Sequence, residues 1–549
     1  MKLNRLMMGA ALAFGLTGAA FAQTSALSPT PPMGWNDWAH YECRYTADTI
    51  LANARALVST GLAARGYDRV TIDDCWMAKH RNAKGELAPN LKRFPHGIAP
   101  VAKAVQAMGL KFGIYEDSGS ETCGGFAGSG EAPSGGHAHF KQDMRQFASW
   151  GVDYVKLDGC NVRVPEGVSQ NDAYRKAYAD ASAAIKASGT KMIFLESAPA
   201  YFQGTPAWYD VLGWVGQYGQ LWREGSDIAV YNPKHPSRSR FHSVEWNYVY
   251  NRPLGRYQKP GNWNDPDFII GGDAGMSLAQ TRSQVALWAM MSAPLVLSVD
   301  VAKLSPASIK VIGNKAVIAV DQDKLGATAS LVRRTPSSDV LLKWLADGDY
   351  ALAVFNHGKQ PVNVDLPLTD LGFASAAACH LGLRNLWTGA RQTDVHALKA
   401  QVLPDDTVIW RVRPSAACGD ATHTGAIVMT VPGSWKDPAA RKIDNYARCL
   451  SAKGAVERCR GDASERWTAS ATGQLHANGK CLAEADGQPT LASCAGSAAQ
   501  HWIYRRNGNL VNAADHRCLG VVATKAGPMR WQMQTCGHNV ATQIWSLPG

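Results

Sequence analysis

Short apolar segments alternate with longer amphipathic segments from about residue 30 to residue 300, and this alternation restricts the fold more than any other feature of the chain. Five segments have strand character: 67–72, 111–115, 154–157, 192–195 and 295–298. Segments with helical periodicity lie between them: 50–62, 101–108, 139–150 and 172–187. Repeated strand–helix units give parallel strands, and eight units in roughly 270 residues predict a (β/α)8 TIM barrel over 23–310. A doubly wound open sheet fits less well, because no glycine-rich phosphate turn follows the first strand.

Acidic side chains follow several of these predicted strands directly. They are Asp73, Asp74, Glu116, Asp117, Asp158 and Glu196. In a barrel, the carboxyl ends of the strands form the active-site face. Any one of these residues could be a helix N-cap, but several in succession favour a functional site.

Asp158 has the surroundings of a nucleophile. Lys156 lies two residues earlier on the same face of the strand, and a nearby cation keeps a carboxylate ionised. The alternative is a structural salt bridge. A second carboxylate, Asp227, lies close to Arg223 in sequence. Two carboxylates about 5–5.5 Å apart hydrolyse a glycoside with retention, although sequence spacing leaves their distance open.

The chain changes character after the barrel region. Strand and turn patterns at 340–344, 350–355 and 407–412 predict an antiparallel β-sandwich domain over 311–415. The small polar residues that follow predict a linker over 416–430.

An internal threefold repeat occupies 431–549. Each unit opens with a basic residue, Cys and Leu, continues to a second Cys and closes with a Trp. Three copies at a spacing of about 32–43 residues predict one supersecondary unit used three times, closed into a β-trefoil. The simplest pairing places one bridge inside each unit, although sequence alone leaves connectivity open. The pairs would be Cys449–Cys459, Cys481–Cys494 and Cys518–Cys536.

The first 22 residues have the features of a signal peptide. Lys2 and Arg5 precede an apolar stretch, and Ala20-Phe21-Ala22 provides a cleavage site that would leave Gln23 as the mature N-terminus. An uncleaved membrane anchor is the alternative. The chain has 12 Cys, an even number that fits up to six disulfides in an oxidising compartment. We therefore expect a secreted or periplasmic protein without a membrane span after cleavage.

Composition excludes several other functions. The net charge is +11, from 56 Lys+Arg and 45 Asp+Glu, but no basic block or nucleic-acid motif accompanies it. His40, His96, His137 and His139 lack the spacing of a metal site, so we expect no metal and no cofactor. The sequence does not indicate an oligomeric state.

Six motifs occur in one order and carry a family resemblance. They are Met-Gly-Trp-Asn-Asp-Trp at 33–38, Ile-Asp-Asp-Cys-Trp at 72–76, Gly-Ile-Tyr-Glu-Asp at 113–117, Lys-Leu-Asp-Gly-Cys at 156–160, Trp222-Arg223 with Asp227, and Trp-Asn-Asp-Pro-Asp at 263–267. Over roughly residues 28–415 the chain resembles glycoside hydrolase family 27, which contains melibiase-type α-galactosidases and α-N-acetylgalactosaminidases. The repeat resembles the ricin B-type β-trefoil of carbohydrate-binding modules.

The resemblance implies a role for each matched residue. Asp158 would be the nucleophile and Asp227 the acid/base. The sugar pocket would comprise Asp73 and Asp74 at O4 and O6, Lys156 at O3 and O4, Arg223 and Asp267 near O2, and Trp38 and Tyr115 as its wall. It also implies the bridges Cys43–Cys75 and Cys123–Cys160, which leaves Cys379–Cys418. The expected activity is an exported retaining α-galactosidase that removes terminal non-reducing α-D-galactosyl residues from oligo- or polysaccharides.

The segment 195–201 leaves the substituent at C2 of the sugar open. In one alignment Glu196 is the ligand of the 2-hydroxyl group. In the other, Ser197 and Ala200 line the C2 pocket, as in the α-N-acetylgalactosaminidases of the family. Less favoured alternatives are an isomaltose-releasing dextranase and a non-catalytic sugar-binding protein.

The trefoil offers one weak candidate for a sugar site. Lectin sites of this type use an Asp near the start of a repeat and an aromatic platform. The first and third units lack the early Asp, whereas the second contains Glu484 and Asp486. We therefore predict at most one working lectin site, at Asp486, and we expect the three closing Trp residues to be core.

Overall fold

Eight strands, each parallel to its neighbours, form the first sheet of the computed structural model, which describes residues 27–132, 134–430, 447–522 and 528–549. The strands are β1 (Met33–Asn36), β2 (Arg69–Ile72), β3 (Lys111–Asp117), β4 (Tyr154–Asp158), β5 (Ile193–Glu196), β6 (Leu221–Arg223), β7 (Trp263–Asp265) and β8 (Leu295–Leu297). Just after β7, Ile269 bridges to Leu297 and its N–H donates to Val296 O at 2.7 Å, which closes the sheet into the predicted barrel. The predicted signal peptide lies outside the described residues.

Helices surround this barrel. They are α1 (Trp38–Tyr41), α2 (Ala47–Ser59), α3 (Ile98–Ala107), α4 (Phe140–Ser149), α5 (Gln170–Ala187), α6 (Trp208–Trp214), α7 (Arg240–Asn251), α8 (Leu278–Met291), α9 (Pro306–Ile312) and α10 (Lys315–Asp321). N-cap side chains mark the start of two of these helices. Ser169 Oγ accepts the Asp172 N–H at the start of α5, and Ser277 forms a capping box with Gln280 at the start of α8.

Apolar side chains fill the lower part of the barrel. Because side chains alternate along a strand, every second residue points inward. The inward residues of neighbouring strands form one buried cluster: Tyr154, Ile193, Leu195, Leu221 and Trp263. This cluster is a packed floor, so the polar residues further along the strands meet at the other end of the barrel.

An antiparallel β domain follows the barrel, as predicted. Its strands are β9 (Ser330–Arg334), β10 (Ser338–Trp344), β11 (Tyr350–Asn356), β12 (Val362–Pro367), β13 (Leu381–Asn385), β14 (Arg391–Val395), β15 (Ala397–Val402) and β16 (Thr407–Pro414). Six strands form one sheet and β12 pairs with β15, around a separate apolar core. Position 310, the predicted end of the barrel domain, falls inside α9, and the first strand of the β domain begins at Ser330.

In the described parts of the C-terminal region, 423–430, 447–522 and 528–549, twelve further strands build the β-trefoil. They are β17 (His423–Ala426), β18 (Val428–Thr430), β19 (Ala447–Ser451), β20 (Ala455–Arg458), β21 (Arg466–Ala469), β22 (Leu475–Ala477), β23 (Lys480–Ala485), β24 (Gln488–Ala492), β25 (Trp502–Tyr504), β26 (Leu510–Asn512), β27 (Cys518–Val522) and β28 (Met529–Gln534). Part of the segment 416–430, predicted as a linker, therefore forms strands. The small polar residues of β17 gain order by pairing with β21, more than 40 residues further on.

Each trefoil repeat closes with the same internal contact. The indole N–H groups of Trp467, Trp502 and Trp545 donate to the carbonyl oxygens of Leu450, Leu482 and Leu519 at 2.7, 2.9 and 2.9 Å. All three rings are buried, so the prediction that they are core is confirmed. The six predicted disulfides are also present. Within the described part of the chain, no helix combines the length and apolar character needed to span a membrane.

Candidate active site

The nucleophile candidate Asp158 ends β4 at the mouth of the barrel. Its Oδ1 accepts two hydrogen bonds, from Tyr201 Oη at 2.5 Å and from the Gly159 N–H at 3.1 Å. Its Oδ2 accepts none from the residues that the structure describes. One carboxylate oxygen is therefore fixed, and the other keeps its lone pairs for a ligand.

Tyr201 is a functional residue that the sequence analysis missed. It lies in a short 3-10 helix, Ala198–Phe202, directly after β5. Burial, followed by the charge of Asp158, raises the pKa of Tyr201 well above its usual range, so the hydroxyl group remains a donor at neutral pH. The sequence feature that could have identified Tyr201 is its position: it is a tyrosine five residues after the end of a barrel strand, at the active-site face.

Lys156 and Asp73 form a buried ion pair beside Asp158. Lys156 Nζ donates to Asp73 Oδ2 at 2.7 Å, and Asn36 Nδ2 donates to the same oxygen at 2.7 Å. The ammonium group also lies 5.1 Å from the ring centroid of Tyr115. Burial disfavours this charge, but Asp73 and Asp158 outweigh burial and hold the pKa of Lys156 above its usual range. The pocket thus contains a permanent cation.

Asp74 is held in place by backbone donors. Its Oδ1 accepts the Cys75 N–H at 2.6 Å and its Oδ2 accepts the Gly124 N–H at 2.7 Å. A Cβ at Gly124 would lie 3.0 Å from Asp74 Oδ2, so glycine lets the backbone approach this oxygen without displacing it. Burial raises the pKa of the Asp74 carboxyl group above its usual range. The disulfides Cys43–Cys75 and Cys123–Cys160 tie both loops to the barrel.

Arg223 connects the acid/base candidate to the barrel. Its Nη2 donates to Asp227 Oδ1 at 3.0 Å, and its Nη1 lies 3.1 Å from Asp267 Oδ1. The Arg223 side chain is 5% exposed, whereas that of Asp227 is 69% exposed and reaches solvent. Burial disfavours the guanidinium charge, but Asp267 and Asp227 outweigh burial and raise the pKa of Arg223.

The buried side chain of Asp267 and the half-buried side chain of Gln203 hold the loop that carries Asp227. Asp267 Oδ2 accepts the Ile228 N–H at 2.6 Å. Gln203 Oε1 accepts the Ser226 N–H at 3.1 Å and the Ser226 hydroxyl at 2.8 Å. The exposed carboxylate of Asp227 is therefore mounted on a loop fixed on both sides.

One predicted pocket residue does not lie in the pocket. Leu195 points into the barrel floor, so Glu196 lies on the opposite face of β5. Its side chain is fully buried close to Gly219, and neither carboxylate oxygen has a hydrogen-bond partner among the described residues. Burial raises the pKa of Glu196 well above its usual range. Alternation along the strand therefore excludes Glu196 as the ligand of the 2-hydroxyl group.

The remaining candidates are placed as follows. Ser197 is buried at the end of β5, with its Oγ unpartnered among the described residues, and Ala200 is half-buried. Trp38 is half-buried at the start of α1, and Tyr115 is buried under the pocket. Asp486 is exposed in the turn between β23 and β24.

A closed parallel barrel with two carboxylates held at its mouth, one by a tyrosine and one by an arginine, is an arrangement that glycoside hydrolases use. The sequence pattern described as "Alpha galactosidase A" matches residues 30–323, more than half of the chain. The chain therefore belongs to the α-galactosidase A family of glycoside hydrolases. The pattern of the α-galactosidase C-terminal β-sandwich domain matches residues 335–412, and that of the ricin-type β-trefoil lectin domain matches residues 440–545.

Individual relatives agree with this membership. Alpha-galactosidase A of Aspergillus niger is 37% identical over 535 residues, which cover 95% of this chain and 92% of the relative. An alpha-galactosidase of Oryza sativa is 35% identical over 391 residues, covering 71% of this chain and 86% of the relative. The crystal structure of alpha-galactosidase I from Mortierella vinacea superposes with a TM-score of 0.62 at 25% identity, covering 72% of this chain and 99% of that one.

Proposed function

We propose that this chain is an exported retaining α-galactosidase that hydrolyses terminal, non-reducing α-D-galactosyl residues of oligo- or polysaccharides. The observation that carries the proposal is the asymmetry at Asp158: Tyr201 and Gly159 hold one carboxylate oxygen, and the other is unoccupied within the described chain. The second carboxylate, Asp227, is solvent-accessible and held by Arg223. These are the two roles that a double displacement requires.

The reaction proceeds in two steps. Asp158 Oδ2 attacks the anomeric carbon, the bond from that carbon to the glycosidic oxygen breaks, and Asp227 donates its proton to the departing oxygen. Asp227, now a carboxylate, then takes a proton from water. The water oxygen attacks the anomeric carbon, the bond to Asp158 breaks, and galactose leaves with its original configuration.

The polar groups around Asp158 suit galactose. Asp73 and Asp74 provide adjacent acceptors for the axial 4-hydroxyl and the exocyclic 6-hydroxyl groups, and Lys156 donates toward O3 and O4. Arg223 and Asp267 lie on the side proposed for O2. Because every one of these side chains is almost fully buried, each lost contact would leave an unpaired polar group.

A second candidate is an α-N-acetylgalactosaminidase. The observation that favours it is that Glu196 faces away from the pocket, which leaves the small residues Ser197 and Ala200 near the C2 substituent. We retain α-galactosidase as the first proposal because the relatives similar over most of the chain are named α-galactosidases.

Parallel assays on p-nitrophenyl α-galactoside and α-N-acetylgalactosaminide test the choice. Faster turnover of the galactoside is expected, with α-galactose as the first product seen by NMR. Preference for the acetamido sugar would favour the second candidate, and preference for an α-glucoside would favour a dextranase-like activity. Asp158→Asn should abolish turnover; unchanged turnover in that variant would exclude this mechanism.

We further propose that the enzyme acts in an oxidising compartment outside the cytoplasm and that the trefoil holds the substrate. Six disulfides are typical of that compartment. Asp486 is the proposed lectin residue, in an exposed turn of the second repeat. Asp486→Ala should weaken retention of the enzyme in a galactomannan gel without altering turnover of small substrates. Equal retention of the variant and the wild type would remove Asp486 from this role.

A further inference from the structure

The loop that carries Asp227 is anchored again a few residues further along the chain. The Ala229 N–H donates to Ser243 Oγ of α7 at 2.9 Å. The Tyr231 N–H donates to the Ala39 carbonyl oxygen of α1 at 2.7 Å. The loop is therefore seated between α1 and α7, and Tyr231 is the residue at which it meets α1.

The position of Asp227 depends on this seat. Its side chain is 69% exposed, so the Arg223 contact and the loop backbone locate the carboxylate rather than tight packing around it. Beyond Tyr231 the chain adds little support, because residues 232–239 are exposed apart from the half-buried Pro236. Loss of the Tyr231 contacts would therefore give the loop more freedom on the side of α1.

The aromatic ring of Tyr231 contacts two defined neighbours. The His40 ring stacks on it, with the ring centroids 4.7 Å apart and an angle of 5° between the planes. The Arg240 guanidinium group lies 5.6 Å from the centroid of the Tyr231 ring. Stacking and cation–π contacts both favour one position of the ring. Tyr231 is thus held by its side chain as well as by its backbone.

One buried carboxylate fixes both neighbours of the ring. Asp273 lies in the segment after β7, and its Oδ2 is 2.8 Å from His40 Nδ1. The same oxygen accepts a hydrogen bond from Arg240 Nη2 at 2.9 Å. The Asp273 side chain is 4% exposed and that of Arg240 is fully buried, so water competes little for these contacts. His40, Arg240 and Asp273 therefore form a preorganised seat for the Tyr231 ring.

We propose that His40, Arg240 and Asp273 hold the Tyr231 ring in place and that Tyr231 thereby positions Asp227 for proton transfer to the departing oxygen. This inference rests on the acid/base role proposed for Asp227. Proton transfer requires the two heavy atoms to lie within hydrogen-bond distance, so a shift of the loop by about 1 Å is enough to slow it. His40 and Tyr231 are positioning residues, because they act through the loop.

Two substrates with different leaving groups separate this role from a general structural one. p-Nitrophenolate departs from p-nitrophenyl α-galactoside with little need of a proton, whereas the glucose of melibiose must be protonated as it departs. The value of kcat/KM reports the steps up to the galactosyl-enzyme, in which this proton is used. Tyr231→Ala should therefore lower kcat/KM for melibiose about tenfold, and for the nitrophenyl substrate less than about threefold. His40→Ala should change the ratio of the two values in the same direction.

A conservative variant and a matched control complete the experiment. Tyr231→Phe keeps the ring and should restore both values toward those of the wild type. Tyr218→Ala removes another half-buried tyrosine, three residues before β6 at the floor end of the barrel, and should leave the ratio unchanged. Because Tyr231 is half-buried in a surface loop, its replacement leaves the barrel core intact, and the Tm of each variant checks this.

Asp227→Ala separates this inference from the proposed function. Under the proposed function, that variant loses far more activity on melibiose than on the nitrophenyl substrate. If it does so while Tyr231→Ala and His40→Ala affect both substrates equally, or neither, the inference is overturned and the proposed function stands. A loss in Tyr231→Phe as large as in Tyr231→Ala would also overturn it. If Asp227→Ala treats the two substrates alike, the acid/base assignment itself fails.

Discussion

Tyr201 determines how the nucleophile is presented. Its hydroxyl group holds Asp158 Oδ1, so Tyr201→Phe should let the carboxylate rotate away from its attacking orientation. We expect kcat to fall by about tenfold to hundredfold, with little change in KM. The control is Tyr174→Phe, which removes a hydroxyl group that donates to the Gly159 carbonyl oxygen. Equal losses in both variants would show that Tyr201 has no specific role.

Asp265 makes stability depend on pH. It is buried on β7, and burial raises its pKa to about 7, although Arg223 opposes the shift. The folded protein therefore holds a proton that the unfolded chain releases between pH about 4 and about 7, so this contribution to stability is lost as pH rises through that window. Asp265→Asn should flatten the pH dependence of the free energy of unfolding. The part of that dependence that disappears is on the order of a few kcal/mol across the window.

Urea unfolding at a series of pH values measures this effect. Asp180→Asn, at a carboxylate on the exposed face of α5, should leave the pH dependence as in the wild type. If the free energy of unfolding of Asp265→Asn changed with pH as steeply as that of the wild type, Asp265 would not be the source of the pH dependence.

Sequence could predict the ligands of the pocket better than their orientation. Asp73 and Asp158 directly follow predicted strands, so their places at strand ends followed from the apolar pattern. Asp267 was a candidate only because the resemblance implied it. Glu196 and Ser197 are adjacent, and a shift of one residue along a strand exchanges its two faces. Only the position of Leu195 in the barrel floor decides which of the two faces the sugar.

At the scale of elements, two disulfides close loops of similar size but differ in position. Cys123–Cys160 spans 37 residues and Cys379–Cys418 spans 39. Loop-closure entropy predicts that loss of either bridge costs about 4 kcal/mol of stability. Only the first touches the site: Cys160 Sγ lies 3.2 Å from Tyr201 Oη, and Tyr115 donates to Cys123 Sγ at 3.4 Å.

Replacing both cysteines of a pair by serine separates the two effects. Both double variants should lose similar stability in urea, but only Cys123→Ser with Cys160→Ser should also lose turnover at temperatures where it remains folded. Similar turnover in the two folded variants would show that the Cys123–Cys160 bridge has no effect on the site.

Elements with a regular apolar pattern were predictable, and those that depend on distant partners were not. The strands β2 to β5 and β8 and the helices α2 to α5 carry their periodicity locally, and their predicted bounds agree with the structure within a few residues. The barrel strands β1, β6 and β7 have only three or four residues each, and the apolar pattern did not predict them. The strand β17 consists of His423, Thr424, Gly425 and Ala426, which carry no strand signal. It forms because β21 of the trefoil supplies its hydrogen-bond partners.

At the scale of the whole molecule, one lysine fastens the β domain to the barrel. Lys343 of β10 is fully buried, and its Nζ donates to Ala289 O, Ser292 Oγ and Val320 O at 2.7, 2.7 and 2.8 Å. These acceptors lie at the carboxyl ends of α8 and α10. Burial lowers the pKa of Lys343 to about 8.

Lys343→Met should therefore leave these acceptors unsatisfied and destabilise the protein by about 3 kcal/mol. Lys359→Met, at an exposed lysine of the same domain that pairs with Asp405, should cost less than about 1 kcal/mol. Denaturant unfolding compares the two variants. A loss in Lys343→Met no larger than in Lys359→Met would show that the contact is energetically neutral.

The packed floor of the barrel has a consequence for any polymer that the enzyme meets. Because apolar side chains fill the lower end, a sugar chain cannot thread through the barrel and can approach Asp158 only from the mouth. An enzyme that removes terminal galactosyl residues there, as proposed, leaves the main chain of a branched polymer at its original length. When the enzyme acts on a galactomannan solution, free galactose should accumulate steadily while the viscosity, which depends on the length of the main chain, stays nearly constant. Cuts within the main chain would lower the viscosity at once.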